Sequence, residues 1–165
     1  MKLIIATTQG NVIGNNNTLP FKLKTDLMLF KQKTICNTVI MGRKTAESLK
    51  GPLKDRTNII LSRNPNYKKE GFITVTTLGE AERYVKGDAF IIGGAQIYRL
   101  ALESGIVEEI HLTLVMDNWS IKGDTAFEPD EYLRNFEMTS ATDYQKGEGV
   151  DYNFAIFVYK NINSI

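Results

Sequence analysis

The chain has 165 residues, of which 42% are hydrophobic and 24% are charged, and its formal net charge is +1. Such a chain is long enough for one domain with a sizeable core, has the composition of an ordinary soluble globular protein, and supplies no long-range field that would favour nucleic acid or an anionic membrane as a partner. One cysteine and one histidine exclude an internal disulfide and a thiolate–imidazole metal cage, so we expect no metal.

The amino-terminal residues 1–8 form an apolar run too short for a signal peptide, and no later apolar stretch approaches the length of a membrane span. We therefore expect a cytoplasmic protein. Continuous runs rich in β-branched residues follow along the chain, which is typical of strands buried on both faces of a parallel sheet. These runs are residues 3–6, 38–41, 58–61, 72–75 and 89–92.

Helical segments separate these runs. The first covers residues 24–33; the second follows a capping box formed by Thr77 and Glu80 and stops at Gly87; the third covers residues 96–104. This alternation predicts a doubly wound α/β sheet. Residues 109–115, 136–142 and 154–159 are strand-like with no strong helix between them, and they predict an antiparallel edge on a mostly parallel sheet. Because there is no repeat or linker, we expect a single domain over residues 1–165.

Two turns between a strand and a helix are suited to phosphate binding. In the first, Gly42 lets the backbone turn sharply, Thr45 is predicted to cap the next helix, and Arg43 and Lys44 add positive charge. The alternative is an ordinary turn with exposed cations. A dinucleotide, whose phosphates are separated, would need two such turns.

The second turn contains Gly93 and Gly94, which allow an unusual backbone conformation or the close approach of a ligand. It lacks the Gly-x-Gly-x-x-Gly pattern of a standard Rossmann site, and tight packing of helix on strand is the alternative. Ser62 and Arg63 lie just past another strand end, where open α/β sheets bind ligands. Arg63, Arg43 and Lys44 could together hold an extra phosphate, such as the 2′-phosphate that separates NADP from NAD. An exposed loop arginine is the simpler interpretation of Arg63.

Asp26 is the single residue that most suggests a function, because it lies in the first turn of a helix beside apolar Leu29 and Phe30. It either favours the helix dipole or is a carboxylate in an apolar cleft, where burial would raise its pKa and suit it to bind a protonatable heterocycle and assist proton transfer. Thr113 either bonds to that carboxylate or to a ligand, or is only a strand former. Arg56 either clamps a substrate carboxylate or pairs with a neighbouring acid at the surface.

Residues 10–20 combine Gly and Asn with apolar side chains, which fits either a mobile lid over a site or an ordinary loop. A nucleophilic pair of Cys36 with His111 is conceivable. The simpler interpretation is that Cys36 is a buried inert thiol and that His111 lies on the polar face of a strand.

In this order, the motifs resemble the dihydrofolate reductase family over nearly the whole chain. The segments that carry the resemblance are residues 11–14 with 19–21, 26–30, 39–49, 52–62, 92–98 and 112–113 with 123–127. The resemblance implies an eight-stranded, mostly parallel sheet with about four helices on both faces, and hydride transfer from NADPH to 7,8-dihydrofolate to give tetrahydrofolate. Dihydrofolate would be the small-molecule substrate, and the protein would be a monomer.

The resemblance also assigns residues to roles. It places Asp26, Thr113, Phe21 and Leu19 at the catalytic centre. The residues implied for substrate binding are Ile4, Ile5, Ala6, Asp26, Leu27, Phe30, Lys31, Leu49, Leu53, Arg56 and Thr113. Those implied for cofactor binding are Ala6, Ile13, Gly14, Leu19, Gly42, Arg43, Lys44, Thr45, Leu61, Ser62, Arg63, Ile92, Gly93, Gly94, Ala95, Gln96, Ile97, Tyr98 and Thr125. The Gly93–Gly94 bond is expected to be the cis peptide of the family.

The sequence departs from the family pattern at several positions. Phe21 replaces a common Trp, Ala95 a frequent Gly, and Gln96 a frequent basic residue, so NADP preference would depend more on Arg43 and Arg63. Residues 116–122 are slightly longer than in short bacterial members. The alternatives are a pyrimidine reductase of riboflavin synthesis, which would not be expected to keep Asp26 together with Arg56, and a non-catalytic protein that retains the fold.

Overall fold

The computed structural model describes residues 1–164. Within this range the chain forms ten strands and five helices. In chain order they are β1 (Lys2–Thr8), β2 (Val12–Gly14), α1 (Lys24–Thr34), β3 (Thr38–Gly42), α2 (Arg43–Ser48), β4 (Thr57–Leu61), β5 (Ile73–Val75), α3 (Leu78–Glu82), β6 (Ala89–Ile91), α4 (Ala95–Glu103), β7 (Glu109–Val115), β8 (Thr125–Ala126), α5 (Asp130–Leu133), β9 (Phe136–Tyr144) and β10 (Phe154–Asn161).

Eight of these strands form one sheet in the order β5-β4-β3-β6-β1-β7-β10-β9. The strands from β5 to β7 pair in parallel, and β10 runs antiparallel to both β7 and β9. The predicted mostly parallel sheet with an antiparallel carboxyl-terminal edge is therefore confirmed. The two-stranded ladder of β2 with β8 and the four-residue helix α5 were not predicted from the sequence.

The central strands are buried on both faces, as their continuous apolar sequence requires. Every residue of β3 is buried. Ile40 and Met41, which are consecutive in this strand, pack into different hydrophobic clusters on opposite faces of the sheet. Burying such a side chain fully contributes roughly 1.5–3 kcal/mol of hydrophobic free energy. Most of β9, by contrast, is exposed, because it is the edge strand of the antiparallel extension.

The strand order places three parallel strands side by side at the centre of the sheet. β1 lies between β6 and β7, and β3 lies on the other side of β6. Parallel neighbours end at the same edge of a sheet, and this edge is where open α/β sheets bind their ligands. The Gly93–Gly94 turn after β6, the Gly42 turn after β3 and the Asp26 helix beside β7 are thereby brought to one region.

Some local expectations are corrected. Cys36 is exposed and has a φ of +62°, because it lies in the tight connection between α1 and β3 and not in the core. Thr45 lies inside α2, whose N-cap is Gly42, so it does not cap that helix. Helix α3 begins as predicted, with the Thr77 hydroxyl accepting the Glu80 N–H at 3.0 Å, but it ends at Glu82, before Gly87. None of the helices among the described residues is both long enough and apolar enough to span a membrane.

Candidate active site

The carboxylate of Asp26 points from the first turn of α1 toward the sheet. Its Oδ1 accepts a hydrogen bond of 2.7 Å from the hydroxyl of Thr113 on β7. Burial raises the pKa of Asp26, while the bond from Thr113 and the positive charge of Lys33 oppose that rise. Asp26 is therefore a partly buried acid that holds a proton to higher pH than a surface aspartate does.

Strand β1 connects this acid to the paired glycines. Ala6 lies opposite Thr113 in the parallel pairing of β1 with β7. On the other side of β1, the buried Tyr98 hydroxyl donates a 2.7 Å bond to the carbonyl of Ile4. A Cβ built on Gly93 would lie 3.3 Å from that hydroxyl oxygen. Asp26 and the Gly93–Gly94 turn therefore lie on either side of the same short part of β1, residues 4–6.

The two predicted phosphate turns adjoin. The N–H of Gly42 donates to the carbonyl of Gly93 at 2.8 Å, and a Cβ built on Gly94 would lie 3.6 Å from the Thr45 hydroxyl oxygen. A Cβ built on Gly42 would lie 2.9 Å from Cγ1 of Ile97, so only glycine fits there without displacement. The Gly93–Gly94 bond is cis, as the resemblance implies.

The helices that follow these turns have uncapped amino termini. Neither α2 nor α4 has a side-chain cap, and α1 and α5 also lack one, whereas α3 is capped by Thr77. The first N–H groups of a helix need an acceptor, and an anion such as phosphate is a suitable one. The glycine turns and uncapped helix starts therefore fit the phosphates of a dinucleotide.

The cations near these turns differ in the contacts that they make. Arg43, Lys44 and Arg63 are all exposed, and of the three Arg43 donates from Nε to Glu47 at 2.7 Å and lies over the ring of Tyr67. The buried Ser62 accepts the N–H of Asn64 through its hydroxyl oxygen at 3.1 Å, which leaves the hydroxyl hydrogen able to donate. Among the predicted contacts to a 2′-phosphate, Arg43 is thus the one already held by an acid.

Arg56 is held by α1 and by its own loop. Its Nη1 donates to the Thr34 hydroxyl at 3.0 Å, and its Nε donates to the carbonyl of Lys54 at 2.9 Å. No ion pair with Asp55 forms among the described residues, so the surface salt bridge considered above is not the role of Arg56. Sequence reasoning missed Thr34, a buried polar residue near the end of α1 whose partner lies 22 residues away.

The apolar residues assigned to the substrate divide into two groups. Leu27 is 52% exposed on α1, and Ile5 is 1% exposed in the core. The side chain of Ile5 points to the opposite face of β1 from its neighbours Ile4 and Ala6, because side chains alternate along a strand. Ile4, Ala6, Phe30, Leu49 and Leu53 are partly buried, and Lys31 is exposed.

The remaining cofactor assignments lie around the glycine turns and the lid. Leu61, Ile97 and Tyr98 pack with the large core cluster, Ile92 packs with the smaller cluster beside α2, and Ala95 and Gln96 begin α4. In the lid segment, Ile13 and Gly14 belong to β2, and Thr125 lies opposite Gly14 on β8. Leu19 is 49% exposed, and Phe21 is buried in a third cluster.

Residues 9–16 are joined by hydrogen bonds to the loop between β7 and β8. The N–H of Asn16 donates to Oδ2 of Asp124 at 2.9 Å, and the N–H of Gln9 donates to the buried Asp117 at 3.3 Å. Trp119 lies in the same loop, 59% exposed, and its Cδ1 would be 3.5 Å from a Cβ built on Gly10. Sequence reasoning identified the loop but not these contacts, since each joins residues about a hundred positions apart.

An α/β sheet in which two glycine turns adjoin at the carboxyl ends of the strands, with a partly buried acid beside them, is typical of dinucleotide-dependent enzymes, and this is the class that the fold and the site indicate. The family model described as "Dihydrofolate reductase" matches residues 1–161. The dihydrofolate reductase of Haemophilus influenzae is 39% identical over 76% of this chain and 76% of its own length, and that of Bacillus subtilis is 31% identical over 99% and 96%. A solved dihydrofolate reductase from Enterococcus faecalis, complexed with NADP(H) and RAB-propyl, superposes with a TM-score of 0.89 at 29% identity, covering 98% of this chain and 96% of that one.

The chain belongs to the dihydrofolate reductase family. Its activity is that of an NADPH-dependent oxidoreductase acting on dihydrofolate, as the motifs in the sequence implied.

Proposed function

We propose that the reduction takes place between α1 and the carboxyl ends of β1, β6 and β7, with Asp26 as the group that handles the proton. The reaction adds a hydride and a proton across a carbon–nitrogen double bond of dihydrofolate, giving tetrahydrofolate. NADPH supplies the hydride when it is bound. Asp26 binds the amino group and ring N–H of the pterin and supports protonation of the ring nitrogen, and Thr113 shares that network.

The observation that carries this proposal is the 2.7 Å bond from Thr113 to Asp26 beneath a partly apolar helix face. A carboxyl group whose pKa is raised by burial is matched to proton transfer nearer neutral pH than an exposed aspartate is. The bond also fixes the orientation of the carboxylate, so that its second oxygen is left for the substrate.

Arg56 supports the proposal at the other end of the substrate. Two of its nitrogens are already engaged with Thr34 and Lys54, which fixes the plane of the guanidinium. A guanidinium fixed in this way can bind the α-carboxylate of the glutamate of dihydrofolate. The apolar residues Ile4, Leu27, Phe30, Leu49 and Leu53 would lie between the two polar ends.

For the cofactor, we assign the phosphates to the uncapped starts of α2 and α4 and the 2′-phosphate to the cations beside them. Gly42, Thr45, Gly93 and Gly94 allow close backbone approach, and Arg43, Lys44, Ser62 and Arg63 supply donors and charge. Ala6, Ile13, Gly14, Leu19, Ile92 and Tyr98 would surround the nicotinamide. We further propose that residues 1–165 form a single domain and that the protein acts as a cytoplasmic monomer.

The test is the replacement of Asp26 by Asn, which keeps the size of the side chain and removes its acidity. We expect NADPH oxidation in the presence of dihydrofolate to slow by about 10²-fold or more near neutral pH, because general acid–base assistance contributes on that scale. The dissociation constant for NADPH should stay within a few-fold of the parent value. As a matched control, Asp143→Asn changes an exposed acid on β9 and should leave the rate unchanged.

Normal turnover of Asp26→Asn would overturn the role of Asp26. Absence of dihydrofolate-dependent NADPH oxidation in the unsubstituted chain would overturn the activity itself and favour the non-catalytic alternative.

A further inference from the structure

A row of polar side chains continues beyond Asp26 beneath α1. Asp26 and Lys33 are two helical turns apart and therefore lie on one face of the helix. On β7, Glu109, His111 and Thr113 alternate onto one face of the sheet. The bond from Thr113 to Asp26 shows that these two faces meet. The catalytic assignment uses Asp26 and Thr113 and leaves the other three residues without a role.

The three remaining residues form a partly enclosed cluster. Nε2 of His111 contacts Oε1 of Glu109, and the two side chains are only 12% and 17% exposed. Nδ1 of His111 is buried and has no partner among the described residues. Burial and the positive charge of Lys33 lower the pKa of His111, and its contact with Glu109 opposes that fall. A neutral ring protonated on Nε2 donates that hydrogen to Glu109.

Lys33 is the cation of this cluster. Burial lowers the pKa of Lys33, and the negative charges of Asp26 and Glu109 oppose that effect. Lys33 also favours the ionised form of Asp26. Partly burying a lysine and a glutamate costs desolvation free energy. Partly buried charged side chains are concentrated at functional sites.

The charges around the cluster can be assigned element by element. From β1, Lys2 faces it but is paired with Asp88 at 3.1 Å. From β10, Lys160 lies opposite Glu109 in the pairing and is exposed, while Val158 and Ile156 lie opposite His111 and Thr113. From β6, the ring of Phe90 lies 6.4 Å from that of His111. Lys33 is thus the cation that acts on Asp26 from within this interface.

We propose that Lys33 is a positioning residue for the reduction: it lies on the face of α1 that carries Asp26, faces the Glu109 side of β7 without an ion pair to either acid among the described residues, and its charge sets how readily Asp26 holds a proton in the cleft. His111 keeps Glu109 in place by donating to it. The inference rests on the proposed function of Asp26. It adds that Lys33, which lies outside the residues assigned to the substrate, modulates the proton affinity of Asp26.

The arrangement predicts opposite effects for two substitutions within one cluster. Lys33→Met removes the cation that favours the Asp26 carboxylate, so Asp26 should hold its proton to higher pH. Glu109→Gln removes the competing anion and leaves Lys33 to Asp26 alone, so Asp26 should release its proton at lower pH. General damage to the fold would not move the two variants in opposite directions.

The experiment measures the single-turnover rate of hydride transfer at saturating NADPH and dihydrofolate between pH 5 and pH 9, values chosen to bracket the titration. We expect the pH at which the rate falls by half to rise by about half a pH unit in Lys33→Met and to fall by a similar amount in Glu109→Gln. Lys33→Arg, which keeps the charge, should restore the parent profile. Lys24→Met, which removes an exposed cation from the same helix, should leave the profile unchanged.

A second measurement does not depend on turnover. The carboxyl carbon of Asp26, followed by NMR in the full-length chain, should titrate at higher pH in Lys33→Met and at lower pH in Glu109→Gln. Unchanged profiles and titrations, or shifts of the same sign in both variants, would overturn the inference.

The failure of this inference differs from the failure of the proposed function. If Asp26→Asn is slow and the Lys33 and Glu109 variants show no shift, only the role of Lys33 is wrong. If Asp26→Asn turns over normally, the role of Asp26 is wrong. In an Asp26→Asn background, the Lys33 and Glu109 substitutions should no longer move the profile.

Discussion

Thr34 joins Arg56 to the end of helix α1. Its hydroxyl oxygen accepts from Nη1 of Arg56 at 3.0 Å, and the same hydroxyl donates to the carbonyl of Phe30 at 2.9 Å. The arginine assigned to the substrate carboxylate is therefore oriented by the helix that carries Asp26. The two ends of the proposed substrate site are therefore coupled through helix α1.

Replacing Thr34 by Val should weaken binding at the carboxylate end alone. The substitution removes the acceptor of Nη1 while nearly preserving side-chain volume, and one such hydrogen bond is worth about 1 kcal/mol. We expect KM for dihydrofolate to rise roughly five-fold with little change in kcat. A substrate that lacks the glutamate should show no difference between the parent and the variant, and a rise of KM for that substrate would contradict the role of Arg56.

Replacing Thr113 by Val should act on Asp26 directly. The hydroxyl bond lowers the pKa of Asp26, so its loss should raise that pKa further. We expect a dissociation constant for dihydrofolate about ten-fold higher and a rate that is retained to higher pH. Equilibrium binding of NADPH, measured without substrate, should not change. A pH profile that moves to lower pH would show that Thr113 does not stabilise the carboxylate.

The raised pKa of Asp26 also predicts how stability depends on pH. Because the folded state binds this proton more tightly than the unfolded state, its contribution is present below the unfolded value and is lost as pH rises through the folded value. The free energy of unfolding should therefore fall with rising pH more steeply in the parent than in Asp26→Asn, by at most about 1.4 kcal/mol per pH unit. Urea unfolding of both proteins between pH 4 and pH 8 measures the difference. Parallel curves would mean that the carboxyl group is not perturbed by folding.

A methyl group on Gly42 should disturb the cofactor turn. Its Cβ would lie 2.9 Å from Cγ1 of Ile97, whereas a Cβ on Gly51 would have no heavy atom within 4 Å. We expect Gly42→Ala to destabilise the fold by about 1–3 kcal/mol and to weaken NADPH binding, because α4 must shift away from the turn. Gly51→Ala is the control and should bind NADPH normally. Adding Ile97→Ala to Gly42→Ala shortens the side chain that the new methyl group meets, and this should recover part of the affinity for NADPH. If the affinity is not recovered, the contact with Ile97 is not the cause of its loss.

Sequence predicted the parts of this fold that depend on local pattern. The strands are apolar on both faces, which fixes a covered parallel sheet. Gly42 stands where a Cβ would lie 2.9 Å from Cγ1 of Ile97, and Gly93 has a φ of +127°. Asp26 was recognised because an acid in an apolar helix face is unusual. The family motifs then supplied the roles that a single residue cannot reveal.

The features that sequence missed all depend on distant partners. Lys33 is an ordinary helix lysine until Glu109 and Asp26 face it, and Thr34 is a weak helix former until Arg56 reaches it. Cys36 was expected to be buried because free cysteines usually are, but the connection it occupies requires a positive φ at the surface. Strand β2 was not predicted because three residues carry no periodic signal.

Trp119, the sole tryptophan of the chain, lies against Gly10 at the base of the lid segment. Because no other indole contributes, fluorescence excited at the red edge of the protein absorption, where the seven tyrosines do not absorb, reports on this one junction. Its quenching by iodide or acrylamide therefore compares residues 10–20 in the free protein and in its ligand complexes without any engineered probe.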